Sequence, residues 1–491
     1  MIETILGYAW VTAIVILLFG LAIFVHELGH FLAARRLGLV VDTFSLGFGP
    51  ALWKRKIDGV LYKVCVFPLG GYVALPQLDP AGMEKVQGSP DDEKKETDDP
   101  PRELPSVAPW RRIVVSVAGP LGNVVLAVVL AWAIYLAPHA NTGGANTQIG
   151  TVREDSPAWQ AGLRPGQTIE RVNGERVATW YDFFVECHLA GDPRQGVVLT
   201  VRDADRLRDL RVALATNLIP DVNVVDGVAP RSLCRVDSVV SNSVASANGI
   251  QAGDRLRTVN GIAVVSSGQF VDYVAKNGTH TVHLELVRAG ATLALTLTPR
   301  WDSETGRPLI GVRLNDAFAD VPFWMQYSKP WRQVTADATQ VVRILKALIF
   351  PQNKGESKRA AQAIGGPPMI VVALWHAVKT GLLSSLGFLR MLCINLAIIN
   401  LLPLPVLDGG HVMFAMWEVV TRRKPHPKVV SVLVNAFAIL LIGMMLLLVG
   451  RDFLRMHKQG RKSDAEANPR TATHAQGAVG TTNASPEAIA P

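Results

Sequence analysis

The residues that decide the fold are 5–30, ILGYAWVTAIVILLFGLAIFVHELGH. The 21 residues from Ile5 to Val25 carry no charge, and that length is enough for an α-helix to cross the hydrocarbon core of a bilayer. The apolar stretch runs directly into His26-Glu27-Leu28-Gly29-His30, without the small-x-small pattern of a signal-peptide cleavage site. Ionisable side chains at the edge of a bilayer are costly unless they are paired or bind a metal, so this junction is expected to be functional.

Three further stretches lack charge: 113–137, 391–407 and 429–450. The first and the last are long enough to span a bilayer, whereas 391–407 is short at 17 residues. Only 18% of the 491 residues are charged, against about 25% in a typical soluble protein. The sequence therefore predicts a multi-pass α-helical membrane protein with about four transmembrane helices, and it argues against an ordinary cytosolic enzyme. The net charge is +8, but there is no basic stripe with interleaved aromatic residues, so nucleic acid is not an expected partner. Arg390, just before the second of these stretches, is expected to extend toward the membrane interface.

The HExxH pattern at residues 26–30 is typical of a zinc site. His26 and His30 are four positions apart and lie on the same face of a helix, where both imidazoles can reach one Zn²⁺. Glu27 lies between them in the sequence and can act as a general base on a water molecule. HExxH alone also occurs by chance, as a helix end with charged residues at the interface. Its place at the end of a membrane segment favours the metal interpretation.

A third ligand is expected, because zinc sites that catalyse reactions use three protein ligands and leave one position open. The candidate is Asp408, in the segment NLAIINLLPLPVLDGG (395–410). Pro403 and Pro405 interrupt regular helix there. Broken backbone at membrane depth is tolerated only where it is buried in protein or lines a wet cavity, so water could reach a peptide bond at this place.

The segment between the second and third apolar stretches contains an internal repeat. Residues 162–174 read GLRPGQTIERVNG and residues 249–261 read GIQAGDRLRTVNG, with a constant offset of 87 residues. Each copy has a Gly-rich turn, a strand-like run and an Asn-Gly turn signal. The pattern resembles PDZ domains over 146–216 and 230–301, which implies two β-rich modules that bind peptide termini by strand addition. The alternative is a repeated β-module that binds no peptide and serves only as a packing unit or a spacer.

HExxH after the first apolar stretch and NxxPxPxLDGG in a later one together resemble the site-2 protease family of intramembrane zinc metalloproteases. Two PDZ-like repeats between these motifs are similar to the bacterial, regulator-of-sigma-E protease branch of that family. The resemblance implies Zn²⁺ as cofactor, with His26, His30 and Asp408 as its ligands and Glu27 as the base.

The same resemblance assigns roles in substrate positioning. Asn400 and Asn395 match two family asparagines that hold the substrate near the metal, and helix-packing amides are the alternative for both. Gly70 and Gly71 lie where the family has a β-hairpin that offers an edge to an unwound substrate. A plain cytoplasmic hairpin is the alternative there.

Positive charges near the helix ends predict the orientation. Arg35 and Arg36 follow the first apolar stretch, and Arg111 and Arg112 precede the second, so residues 32–108 are expected to be cytoplasmic. The PDZ-like repeats are then periplasmic, and the active site lies near the cytoplasmic side of a bacterial inner membrane. The positive charges that follow 429–450 conflict with the external C-terminus that this orientation requires.

The predicted organisation has nine parts. They are a first transmembrane helix with HExxH (1–31), a cytoplasmic loop with the hairpin and a flexible insertion at 84–105 (32–108), a second transmembrane helix (109–138), the two PDZ-like domains (146–216 and 230–301), an amphipathic periplasmic segment (319–376), a third transmembrane helix with LDGG (380–410), a fourth (429–450) and a disordered tail (462–491).

The predicted function is intramembrane proteolysis of single-pass membrane proteins within the bilayer, after a first extracytoplasmic cut. By resemblance, the substrates are of the anti-sigma-factor type and include remnant signal peptides. Two other functions remain open at this point. One is a catalytically silent scaffold that binds chain termini through the PDZ-like units. The other is a metal transporter, in which polar residues would be expected along several membrane segments.

Overall fold

The computed structural model describes residues 2–78, 107–137 and 146–467, except positions 193, 220–221, 232–233, 289, 304, 317–322, 326 and 328. The insertion predicted at 84–105 lies outside the described residues. The tail predicted from residue 462 lies outside them from residue 468 onward.

Long apolar helices, one hairpin and two β-rich units make up the described fold. The helices are α1 (Ile2–Arg36), α2 (Pro109–Leu136), α3 (Pro157–Gln160), α4 (Trp180–Ala190), α5 (Val244–Ala247), α6 (Ser267–Asn277), α7 (Pro330–Ile349), α8 (Glu356–Ala363), α9 (Pro367–Thr380), α10 (Leu382–Asn400), α11 (Asp408–Thr421) and α12 (Pro427–Ala467). The strands are β1 (Thr43–Ile57), β2 (Val60–Ala74), β3 (Ile149–Val152), β4 (Thr168–Val172), β5 (Glu175–Arg176), β6 (Val197–Asp203), β7 (Arg206–Val212), β8 (Ala215–Ile219), β9 (Val222–Val224), β10 (Val228–Pro230), β11 (Cys234–Val239), β12 (Arg255–Val259), β13 (Ile262–Ala263), β14 (Val282–Arg288), β15 (Ala291–Leu297), β16 (Arg300–Asp302), β17 (Arg307–Leu309) and β18 (Val312–Asp316).

Four helices in the described part of the chain are long and apolar enough to cross a membrane: α1, α2, α10 and α12. The segment predicted as one helix at 380–410 is divided, because α10 ends at Asn400 and α11 begins at Asp408. Pro403 and Pro405 lie in the break, where neither can donate a helical hydrogen bond. The last helix, α12, extends well beyond 429–450 and ends at Ala467, inside the predicted tail.

Glycines allow α1 and α2 to approach closely. A Cβ atom added to Gly29 would lie 2.2 Å from the backbone oxygen of Ala118, and one added to Gly122 would lie 2.8 Å from that of Val25. Small residues at such positions let helix backbones touch, which is a common basis for association of membrane helices. This contact fixes α2 beside the HExxH segment.

The hairpin of β1 and β2 bends in its middle and folds back on itself. Its outer part pairs 51–57 with 60–65, and all side chains at 49–59 are exposed. Its inner part places 43–46 between 61–64 and 71–74. Segment 71–74 therefore has a strand neighbour on one side, and its other edge is open among the described strands.

The two β-rich units, residues 146–230 and 234–316, share one plan. In the first, β4 to β7 form a sheet in the order β5-β4-β6-β7, and β3 pairs separately with β10. In the second, the order is β15-β14-β12-β11-β18. In each unit the first strand pairs with a strand that comes last in that unit, β10 or β18. The second unit thus continues to β18 and past residue 301, where the predicted second PDZ-like domain ends.

Helix α7 connects the first β-rich unit to the apolar helices. Near its end, Arg343 donates two hydrogen bonds to the Glu186 carboxylate, of 2.7 and 2.9 Å, and forms an ion pair of 2.8 Å with Glu356. Burial raises the pKa of the Glu186 carboxyl, and the hydrogen bonds from Arg343 oppose that shift. All three side chains are buried, so this ion network attaches α4 to α7 and α8.

Arg390 does not extend toward the membrane interface as predicted. It is 1% exposed, and its guanidinium donates to Asp337 (2.7 Å) and to Gln333 (2.6 Å). Both partners lie on α7, which covers α10 at this point. Because these acceptors are supplied by protein, the charge does not need to reach water.

The contacts distinguish the two ends of the helical bundle. At one end, the ring of Tyr8 stacks on Trp375, and Arg451 donates to the backbone oxygen of Ala361 at 2.8 Å. Ala361 belongs to α8, which contacts α4 of the first β-rich unit. The beginning of α1 and the later part of α12 thus lie at the same end as that unit. The hairpin contacts the other end of α1.

Replacing Arg343 by alanine leaves two buried carboxylates without their cation. We expect this change to lower the free energy of unfolding by about 3–5 kcal/mol, which is typical of breaking a buried ion pair. The control is Lys346→Ala on the same helix, whose ion pair with Glu175 is partly exposed and worth about 0–1 kcal/mol. Thermal unfolding of the two variants in detergent tests this, and equal shifts would contradict the assigned role of the network.

Candidate metal centre

His26, His30 and Asp408 come together although they are distant in the sequence. The two histidines lie one turn apart on α1, and Asp408 is the first residue of α11. Nε2 of His26 lies 3.2 Å from one Asp408 oxygen, and Nε2 of His30 lies 3.3 Å from the other. The two Nε2 atoms are 3.3 Å apart. Both histidines are buried, so the three groups form one compact cluster.

The spacing of these atoms fits a tetrahedral metal ion. Zn²⁺ with ligand bonds of about 2.0–2.1 Å holds its ligand atoms about 3.3–3.4 Å apart. The 3.3 Å between the two histidine Nε2 atoms agrees with that geometry, and each Nε2 lies 3.2 or 3.3 Å from one of the two Asp408 oxygens. Two imidazole nitrogens and one carboxylate oxygen are also a donor set that suits zinc.

Two groups on α2 orient the imidazole rings. Nδ1 of His30 lies 2.8 Å from the backbone oxygen of Val115, to which it donates, so its Nε2 keeps a lone pair for a metal. The amide of Asn123 lies 3.3 Å from Nδ1 of His26, and its Oδ1 is buried without a partner among the described residues. Rotation of this amide by 180° about its Cβ–Cγ bond would make Oδ1 the acceptor of an Nδ1–H of His26 and leave Nε2 of that ring free for a metal.

Gly119 on α2 leaves the space that the His30 ring occupies. A Cβ atom added there would lie 2.2 Å from Nε2 of His30. The GPLGN segment at 119–123 therefore has a defined role, because Gly119 admits the ring and Asn123 orients its neighbour.

We expect Gly119→Ala to displace the His30 ring and to lower zinc affinity by about 10- to 100-fold, as typical changes next to metal ligands do. The matched control is Gly20→Ala on α1, where an added Cβ meets no atom within 4 Å. Zinc content after dialysis against a weak chelator measures the difference. Equal retention in both variants would contradict the assigned position of His30.

The segment before α11 turns tightly to present Asp408. A Cβ atom at Gly409 would lie 2.2 Å from the backbone oxygen of Leu402, and one at Gly410 would lie 2.3 Å from that of Leu404. These two glycines therefore let the first turn of α11 pack on the broken backbone after α10, which directs the carboxylate toward α1.

A cavity of about 860 Å³ opens beside the cluster. Its lining includes the three clustered residues and Glu27, Asn400, Gly71, Tyr72, Val73, Ser116, His411, Arg112 and Glu418. The amide nitrogen of Asn400 lies 3.4 Å from Nε2 of His26. Segment 71–74 of the hairpin approaches closely, since a Cβ atom at Gly71 would lie 3.1 Å from Cγ of Glu27.

Two predicted substrate-positioning residues do not line this cavity. Asn395 lies farther back on α10, and Gly70 packs on the ring of Phe48, where an added Cβ would lie 1.9 Å from a ring atom. Sequence reasoning alone assigns no ligand role to His411 and no role at the site to Glu418, although both line the cavity. His411 could have been indicated by its spacing of three residues from Asp408, which places both on one face of a helix, whereas the ten-residue spacing of Glu418 gives no such signal.

The chain is similar to a known peptidase family along most of its length. A model of peptidase family M50 matches residues 14–444. The chain is 30% identical to the regulator of sigma-E protease of Salmonella typhimurium strain 14028s, over 92% of this chain and 100% of that protein. It is 29% identical to the protein of that name from Escherichia coli K12, over the same shares. A Vibrio cholerae protein described as a zinc metalloprotease is 28% identical, over 90% of this chain and 98% of that one.

Among solved structures, the PDZ domain of an SdrC-like protein from Listeria monocytogenes matches 18% of this chain and 90% of that domain. The sequence identity is 24% and the TM-score is 0.17.

Proposed function

Because the chain belongs to peptidase family M50 and is a zinc metalloprotease, we propose that it cleaves single-pass membrane proteins within the bilayer, at a zinc ion held by His26, His30 and Asp408. The observation that supports this most is that the ligand atoms of those three side chains lie close enough together to bind one metal ion. The scaffold and transporter functions receive no comparable support. The cluster lies between the end of α1 and the broken backbone after α10. Water can reach a membrane-embedded peptide bond at such a break.

The roles at the site follow from position. A zinc ion bound there supplies Lewis-acid polarisation of the scissile carbonyl and makes a bound water more acidic. Glu27 lines the cavity beside the cluster and is proposed to take the proton of the attacking water and to return it to the leaving amine. Asn400 lies on the same side, 3.4 Å from Nε2 of His26, and is proposed to donate to the substrate carbonyl.

The substrate is proposed to bind as an extended strand. A helix hides its peptide bonds, so the chain must unwind before the metal and Glu27 can reach one. Segment 71–74 has no second strand neighbour among the described strands, the backbone of Val73 donates a hydrogen bond to Glu27, and Tyr72 and Val73 line the cavity. Strand addition at this edge would carry the scissile bond past Glu27. Gly71 lets the edge approach α1, Gly70 supports it by packing on Phe48, and Asn395 keeps its predicted role as a second amide on α10.

We place the metal centre near the cytoplasmic side of a bacterial inner membrane and both β-rich units in the periplasm. Arg35, Arg36, Arg111 and Arg112 lie at the end of the bundle that carries the hairpin, in line with the positive-inside rule. The contact between Arg451 and α8 supports a periplasmic end for α12, despite the basic residues that follow it.

The β-rich units are proposed to be PDZ-like domains that select pre-trimmed substrates. In the second unit β18 is an edge strand of the sheet and α6 lies against it, an arrangement that can accept a peptide terminus. The first unit is attached to α7 and α8 through the Arg343 network, at the end of the bundle opposite the hairpin. The names of the relatives suggest substrates of the anti-sigma-factor type, and remnant signal peptides share the same single-pass form.

The test is cleavage of a single-pass model substrate in reconstituted membranes, with and without its extracytoplasmic domain. We expect a product cut within the membrane segment only from the trimmed form, located by mass spectrometry. A cut outside the membrane segment would contradict intramembrane cleavage. Equal cleavage of both forms would contradict substrate selection by the β-rich units, but it would leave intramembrane cleavage unaffected.

A further inference from the structure

One end of the catalytic cavity carries an ion pair to which the zinc chemistry assigns no role. Arg112, in the first turn of α2, pairs with Glu418 on α11, and both side chains line the cavity. Arg112 lies one helical turn before Val115, whose oxygen binds His30. Arg112, Val115, Gly119 and Asn123 therefore form one stripe along α2, and the metal centre uses the last three.

The guanidinium of Arg112 is only partly used. Among the described residues, the hydrogen bonds of its side chain are confined to Nη2, which donates to Glu418. Nε is buried without a partner, whereas Nη1 has no hydrogen bond among the described residues and is not buried, so Nη1 is the donor that a molecule in the cavity can reach. The side chain is 18% exposed, so it is within reach of a molecule in the cavity. An arginine with a free planar edge beside a substrate channel can donate to an oxygen in a fixed direction.

Building on the proposed function, we infer that Arg112 positions the substrate by donating to one of its main-chain carbonyl oxygens. Glu418 lies ten residues after Asp408 on one helix, about 15 Å along the axis. An extended chain advances about 3.3 Å per residue, so the contact falls about three to five residues from the scissile bond. Glu418 already neutralises the guanidinium, which favours a neutral carbonyl over a second carboxylate.

The role of Glu418 follows from the same contact. It holds the Arg112 side chain at the wall of the cavity and removes its preference for acidic side chains. Residues Lys424 and His426 line the same end, so an unpaired Arg112 would make this region strongly positive. With the ion pair between Arg112 and Glu418 intact, the site binds the main chain of an extended substrate and does not select for its side chains.

The test is steady-state cleavage of the trimmed model substrate by Arg112→Lys in reconstituted membranes. Lysine keeps the charge for Glu418 but lacks the planar second edge. We expect KM to rise by about two- to tenfold, the range of one hydrogen bond, with kcat, zinc content and melting temperature unchanged. Arg111→Lys is the matched control, because Arg111 is the exposed neighbour of Arg112 and donates to the Leu37 backbone.

A second variant separates positioning from helix packing. Arg112→Gln with Glu418→Gln keeps a hydrogen-bonding pair between α2 and α11 without the guanidinium, and we expect the same rise in KM. Unchanged KM in either variant would overturn the inference while leaving the protease intact. A wild-type preference for aspartate over asparagine three to five residues from the cut would also overturn it. If wild type and Glu27→Gln behave alike, the proposed function fails, and this inference fails with it.

Discussion

Replacing Asp408 by alanine is expected to lower the zinc content of the purified protein from one ion per chain to less than about a tenth of that value, and to abolish cleavage. The carboxylate contributes one of the three protein ligands, at 3.2 and 3.3 Å from the two histidine nitrogens. Two histidines alone leave a zinc site incomplete. The loss of zinc affinity should therefore exceed the roughly 10- to 100-fold loss caused by changes to residues around the ligands. Elemental analysis of the protein, purified without chelators, measures it.

The control for Asp408→Ala is His411→Ala. His411 lies three residues later on the same helix and lines the same cavity, but it does not belong to the cluster. It is expected to keep one zinc per chain. Full zinc retention in Asp408→Ala would exclude Asp408 as a required ligand, whatever its effect on activity.

The second large effect is expected for Glu27→Gln. This variant should keep its zinc and its melting temperature, because Glu27 lies outside the ligand cluster. Cleavage should fall by about 10²–10⁴-fold, since glutamine cannot take a proton from water. Comparing zinc content and product formation in the same reconstituted sample separates the two roles. Cleavage by the variant at the wild-type rate would indicate a contaminating protease or a different base.

Much of this fold is predictable from the sequence, for a physical reason in each case. Runs without charge indicate the four apolar helices, because a charge inside a bilayer is costly. HExxH places two imidazoles on one helical face by geometry alone. Asp408 could be expected because the apolar stretch before it should end at the same membrane depth as α1. The repeat at 162–174 and 249–261 indicated two similar units, and the structure contains two units of one plan.

The remaining features depend on partners that are distant in the sequence. The strands β10 and β18 are short and complete their sheets only through pairing with β3 and β11, so no local periodicity indicates them. From the sequence, Arg390 is a charge at the edge of a membrane segment. Only the structure shows that it donates a hydrogen bond to Asp337 on α7. The contact of Asn123 with His26 likewise requires the packing of α1 on α2, which the glycines permit but do not specify.

X-ray absorption at the zinc edge of the purified, catalytically silent Glu27→Gln protein tests the central claim most directly. We predict two imidazole nitrogens and further oxygen ligands at about 2.0–2.2 Å, with no sulfur. All four cysteines are free thiols and buried, and none belongs to the cluster. A cysteine could therefore bind the zinc only if the fold differed from the one described. A sulfur shell at about 2.3 Å, or a protein without zinc, would contradict a metal centre formed by His26, His30 and Asp408.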